Sequence, residues 1–127
     1  MSEIPQDLKY TEEHEWVKLE GDVATIGITD YAQGELGDVV FVELPGVGEA
    51  VKRDDAIGSI EAVKTVADIY APISGEIAEI NEELDTAPET VNDEPYGNGW
   101  LFKVKPSDKT ELDGLMDAEA YEQHISD

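Results

Sequence analysis

Short apolar runs, each cut off by a turn signal, make up most of this chain, and that pattern constrains its fold more than any other feature. Trp16-Val17-Lys18-Leu19 runs into Glu20-Gly21-Asp22 and resumes as Val23-Ala24-Thr25-Ile26-Gly27-Ile28, β-rich alternation around a tight turn. Val39-Val40-Phe41-Val42 is β-branched and aromatic, so it reads as a strand, ended by the loop Pro45-Gly46-Val47-Gly48. Further strands are predicted over 56–63, 66–70, 75–80 and 100–104. Thr29 is placed to cap a short helix through Gln33, stopped by Gly34 or Gly37. The stretch from Thr86 to Gly99 is rich in Pro, Asn, Asp and Gly and reads as a long loop. Asp108-Lys109-Thr110-Glu111 has the form of a capping box, and Asp117 is placed to cap a second helix with Tyr121 and Ile125 on one face. The class is therefore mainly β, with short helices at the C-terminus. A shift of 40 residues (84 − 44) aligns Leu44 with Leu84, Val51 with Val91 and Ile60 with Trp100. That faint repeat suggests two similar four-strand motifs joined near Lys64.

With 127 residues, 40% of them hydrophobic, the chain is expected to form one domain over 1–127. Its core is expected over about 16–105 and its C-terminal helices over about 108–126. No apolar run reaches membrane-spanning length, and Met1 to Tyr10 lacks a secretory pattern, so a soluble, cytoplasmic chain is expected. There is no cysteine, so any thiol chemistry has to come from a cofactor. Eight basic residues against 31 acidic ones leave a formal charge of −23. Such a charge repels nucleic acid. It fits either an acidic face for a basic partner or a high-salt cytoplasm, where screening tolerates a dense acidic surface. The scarcity of lysine throughout favours high salt.

Two predicted strands flank Lys64 in the segment Gly58-Ser59-Ile60-Glu61-Ala62-Val63-Lys64-Thr65-Val66-Ala67-Asp68-Ile69-Tyr70-Ala71-Pro72-Ile73-Ser74-Gly75. A strand, a tip and a returning strand lift one lysine clear of the surface. A lone lysine between strands is ordinarily a solvated charge. Here lysine is rare, small Ala62 and Thr65 leave room for a modifying enzyme, and the faint repeat pivots on this point. Other chemistry finds no support. His14 and His124 lie 110 positions apart (124 − 14) with no cysteine, so no metal-ligand spacing is present. No calcium loop, phosphate loop or nucleophile elbow is found, and no catalytic residue is expected.

The run Ser59-Ile60-Glu61-Ala62-Val63-Lys64-Thr65, followed by Ala71-Pro72-Ile73-Ser74-Gly75, resembles the H protein of the glycine cleavage system, a relative of lipoyl and biotinyl domains. Val63 and Thr65 stand where biotin domains carry methionine. The dehydrogenase-type Asp-Lys-Ala is absent as well. The resemblance continues through Lys9-Tyr10, His14-Glu15-Trp16-Val17, 24–32, 37–45 and 92–105. It implies a flattened hybrid of barrel and sandwich, built from two antiparallel sheets, and lipoate in amide linkage to Lys64. It also implies a non-catalytic carrier of the aminomethyl group of glycine. The implied partners are a pyridoxal-phosphate (PLP) glycine decarboxylase, a tetrahydrofolate-dependent aminomethyltransferase, an FAD-dependent dihydrolipoamide dehydrogenase and a lipoate-attaching enzyme. A lone exposed arm suits a monomer.

The loaded arm ends in an amine that is cationic near neutral pH. The family folds it into a cleft on its own surface, and Glu15 and Asp68 match acidic positions of that cleft. Glu13 stands where a small hydroxyl residue can occur in the family, and Glu35 where a histidine can occur. Three competing readings are a lipoyl-relay scaffold for other lipoylated enzymes, a biotinyl or 2-oxoacid-dehydrogenase-type carrier, and an acidic barrel without a cofactor.

Overall fold

The computed structural model describes residues 4–126. The expectations of a domain from residue 1 to 127 and of an N-terminus without a secretory pattern extend to residues outside these. Among the described residues, nine strands form two antiparallel sheets. They are β1 (Lys9–Tyr10), β2 (Glu15–Glu20), β3 (Val23–Ile28), β4 (Val39–Glu43), β5 (Ala50–Val51), β6 (Ala56–Ala62), β7 (Val66–Tyr70), β8 (Gly75–Ile80) and β9 (Phe102–Pro106). One sheet has the order β1-β2-β3-β9-β8-β5 and the other β4-β6-β7. This is the flattened barrel-sandwich with two antiparallel sheets that the resemblance implies.

Period-2 alternation fixes which face of each strand is buried. From the larger sheet Ile26, Ile77 and Val104 point inward; from the smaller one Val42, Ile60 and Ile69 do. Together they form the main core. The β2–β3 turn needs Gly21 at φ 64°, a left-handed conformation in which glycine carries no steric penalty. Gly27 leaves room for Trp16, whose ring atoms lie only 2.7 Å from where a Cβ would stand.

A second, smaller cluster joins the two ends of the chain. Leu8, Tyr10 and Trp16 pack with Ala118 and Tyr121 of helix α3 (Ala118–Ser126), and the Tyr10 and Tyr121 rings stack at 4.7 Å. The core thus extends beyond residues 16–105 in both directions. Asp117 Oδ1 accepts from the Ala120 N–H, as the predicted cap requires.

Five expectations are corrected. The stretch 86–99 is not all loop: helix α2 (Thr90–Asp93) interrupts it, preceded by a 3-10 turn over Glu82–Asp85. The Asn92 side chain there donates to Gly37 O and accepts from Val39 N–H, a long-range use that composition does not reveal. The last strand begins at Phe102 rather than Trp100, and the strand before Lys64 ends at Ala62 rather than Val63. Asp108 does cap a 3-10 helix over Lys109–Gly114, but Glu111 does not complete a capping box. Its carboxylate accepts instead from the Ser74 N–H and hydroxyl. The 40-residue repeat has no structural counterpart, because Val51 lies in a strand and Val91 in a helix.

Candidate functional site

Lys64 lies at the tip of the β6–β7 hairpin, exposed, in the bend between Ala62 and Thr65. The Ala62 N–H donates to Thr65 O at 2.9 Å and closes the tip. The Val63 N–H donates to Asp38 O, also at 2.9 Å, and pins the tip to the segment before β4. Helix α1 (Asp30–Leu36) ends beside it. Thr29 caps that helix by accepting from the Ala32 N–H, and Gly37 at φ 84° terminates it. Gly34, the other predicted stop, sits inside the helix. The Lys64 stem lies against Gly37, so close that a Cβ there would stand 3.2 Å from Cδ. The lysine stem therefore begins at the end of a helix whose side walls a cleft.

That cleft has a volume of about 230 Å³ and lies between α1, the β6–β7 pair and the loop before β2. Its apolar lining includes Ile28, Leu36, Ile60 and Ala67. Four carboxylates also line it: Glu13, Glu15, Glu35 and Asp68. All four acids weighed from sequence are thus brought to one place, although Asp68 lies 53 residues beyond Glu15 (68 − 15).

Glu15 differs from the other three in being buried, at 2% exposure. Its Oε1 accepts from the Thr11 hydroxyl at 2.8 Å, and its Oε2 accepts from the Tyr70 N–H at 3.1 Å. Burial pushes its carboxyl up to about 8, against the lowering effect of those two donors. Asp68 is exposed on β7, an edge strand of the smaller sheet, and its charge opposes ionisation of the neighbouring Tyr70 phenol, holding that group above its ordinary value. Glu13 and Glu35 are exposed as well. Glu35 accepts from the Tyr31 hydroxyl, which holds that phenol above its ordinary value and disfavours its ionisation.

His14 is structural and also walls the cleft. It adopts φ 70°, and its Nδ1 lies 2.9 Å from the Tyr121 hydroxyl. Tyr121 in turn pairs with Thr29 Oγ1 at 2.7 Å. One phenol on the C-terminal helix thereby ties the loop before Glu15 to the cap of α1, two walls of the cleft. Burial, then the neighbouring His124, holds the His14 imidazole below its ordinary value. The two histidines do come together, with ring centroids 5.6 Å apart, yet no group of three or more metal-ligating side chains occurs among the described residues. Thr11 and the site role of Tyr121, read from sequence only as a helix-face residue, escaped the sequence reading. Their partners lie across loops or at the far end of the chain, where no periodic pattern reports contact.

The surroundings of Lys64 have room and polarity for a long side chain. The stem is exposed at its end, flanked by a glycine, and next to a cleft with an apolar floor and an acidic border. These features fit an amide-linked arm that is apolar along its length and cationic at its loaded end.

Comparison with known proteins identifies the family. The model of the family described as glycine cleavage H-protein matches residues 8–127. The glycine cleavage system H protein of Halalkalibacterium halodurans is 57% identical over 127 residues, covering 100% of this chain and 99% of the relative. That of Alteromonas mediterranea is 58% identical over 128 residues, again covering 100% and 99%. A crystal structure of a glycine cleavage system H protein from Mycobacterium marinum superposes with a TM-score of 0.88 at 39% identity, covering 97% of this chain and 99% of that one. In sequence and fold alike, this chain belongs to the glycine cleavage H-protein family.

Proposed function

We propose that Lys64 of this chain carries lipoate in amide linkage, and that the cleft of Glu15 and Asp68 shelters the loaded arm. The chain is a lipoyl carrier of the glycine cleavage system, a non-catalytic subunit that shuttles the aminomethyl group of glycine between enzymes. The observation that carries the reading is the lysine stem set against Gly37, at the end of the helix that walls the acidic cleft.

Lipoate supplies a cyclic disulfide, the thiol chemistry that a chain without cysteine lacks. The protein's own residues do the rest. The closed tip at Ala62–Thr65 presents the Lys64 amine to an attaching enzyme. A tether raises the effective concentration of its end at each successive partner, provided the tip is free to reach them. Ile28, Ile60 and Ala67 exclude water from the arm's apolar length. Glu15 stabilises a cationic amine by a charge-assisted hydrogen bond, and that pairing offsets the desolvation that keeps the empty carboxyl protonated. Asp68 adds a second negative charge at the border.

The partners follow from this role. They are a pyridoxal-phosphate glycine decarboxylase that loads the arm, a tetrahydrofolate-dependent aminomethyltransferase that unloads it, an FAD-dependent dihydrolipoamide dehydrogenase that reoxidises it, and a lipoate-attaching enzyme. We place the carrier with them in the cytoplasm, as a monomer formed by one domain. No helix among the described residues is long and apolar enough to cross a membrane.

The test is glycine–carbon dioxide exchange with a glycine decarboxylase. The parent chain, expressed in cells that make lipoate, is expected to support exchange, and Lys64→Arg is expected to abolish it. Exchange that persists in Lys64→Arg refutes the assignment of Lys64.

A further inference from the structure

We propose that Thr11 is a positioning residue for the carrier, its hydroxyl fixing the Glu15 carboxyl as a hydrogen-bond acceptor ready for the cationic end of a loaded arm. The inference rests on the reading of the cleft given above. It is carried by the hydrogen bonds of one loop.

A hydroxyl has one proton and two lone pairs. Thr11 Oγ1 accepts from the Glu13 N–H at 3.2 Å and from the Glu15 N–H at 3.1 Å. Both lone pairs are then occupied, and the single proton is left for Glu15 Oε1 at 2.8 Å. Thr11 can therefore donate to the carboxyl but cannot accept from it. The loop holds this arrangement from both ends: the Thr11 N–H donates to Glu15 O at 2.9 Å, and the His14 N–H donates to Thr11 O at 3.1 Å. The positive φ of His14 lets the chain turn tightly enough to do so.

The surroundings make this donor matter. Glu15 is faced by Glu13 from its own loop and by Asp54 from the segment before β6, both of which oppose its ionisation. Asp68 lies across the same cleft and the Tyr70 phenol belongs to the strand beside it. Arg53 lines the neighbouring cavity but makes no ion pair with Glu15, and His14 in the cleft wall is held toward its neutral form. Two donors alone favour the charged carboxylate: the Thr11 hydroxyl and the Tyr70 amide. The amide is fixed by the backbone of β7. Thr11 is the side chain through which the sequence sets the balance. Without it, the carboxyl gains a rotatable, protonated state with no directed acceptor, and a cationic amine meets a weaker partner.

The experiment uses the full chain without lipoate, so that it does not depend on the arm. The Glu15 carboxyl carbon is followed through pH by NMR in the parent, Thr11→Ala and Thr11→Ser. Loss of a hydrogen bond to a charged group is expected to raise the Glu15 midpoint by about one pH unit in Thr11→Ala, a roughly tenfold change in ionised fraction. Thr11→Ser, which keeps the hydroxyl, is expected to restore the parent midpoint. An unchanged midpoint in Thr11→Ala, or a failure of serine to restore it, overturns the proposal. Should Thr11→Ala not fold, the parent decides: the Thr11 hydroxyl proton and the Glu15 carboxyl carbon must move with one shared midpoint, and separate midpoints overturn it. The cleft reading fails by a different result. In that case Glu15→Gln leaves the lifetime of the loaded arm unchanged, while the coupling of Thr11 to Glu15 persists.

Discussion

Glu15→Gln should remove a pH-dependent loss of stability that the parent suffers. Burial pushes the folded carboxyl from its ordinary 4.5 up to about 8. Between those values the folded chain holds a proton that the unfolded chain has released. Stability therefore falls as pH rises through that window, and is fully kept below the unfolded value. At about 1.4 kcal/mol per unit, the loss amounts to roughly 5 kcal/mol as an upper bound. Glutamine removes this dependence but has a single acceptor oxygen. It can satisfy the Thr11 hydroxyl or the Tyr70 N–H, not both, which costs about 1–3 kcal/mol at every pH. The assay is urea unfolding of parent and variant in parallel through this range, so that contributions of the other acids cancel in the difference. The parent should be the more stable protein in acid. The variant should overtake it with rising pH and lead by roughly 2–4 kcal/mol above the window. A difference that is constant with pH, or that slopes the other way, refutes the buried and protonated state of Glu15.

Three further outcomes are expected. Gly27→Ala places a methyl 2.7 Å from a Trp16 ring that is buried and tied by Nε1 to Pro95 O at 2.9 Å; the overpacking should cost about 1–3 kcal/mol, read from thermal unfolding. Tyr121→Phe removes the hydroxyl shared by His14 and Thr29 and should cost about 1–3 kcal/mol, with faster amide exchange in α3 and in the loop before Glu15. With a charge of −23 and Lys109–Asp22 the sole ion pair among the described residues, stability should rise with added salt, and full stability in dilute buffer would contradict the high-salt reading.

The sequence made the strand pairs legible wherever alternation ran for several residues. The turn at Gly21 and the hairpin around Lys64 emerge from such runs. Two-residue strands escaped, because Lys9–Tyr10 and Ala50–Val51 are too short to show a period. Helix α2 escaped because what ties it to the fold is tertiary: Val91 is buried in the main core, and Asn92 reaches Gly37 and Val39, 55 and 53 residues away. Glu111 matched a local capping pattern, but Ser74 offered it two donors at once and tertiary contact won. The tip of the site was readable from residues alone. Its cleft was readable only through family resemblance, since no local signal links Glu15 to Asp68. The burial of Glu15 and the hydroxyl of Thr11 against it are tertiary facts with no pattern along the chain.

The central claim is that Lys64 bears the arm. Its most direct test is intact mass, followed by peptide mapping, of the protein expressed in cells that make lipoate. The account predicts a mass increase of one lipoyl group, located on the peptide that contains Lys64. A biotinyl increase, a lipoyl group on another lysine, or an unmodified chain after complete exposure to an active lipoate-attaching enzyme would contradict it.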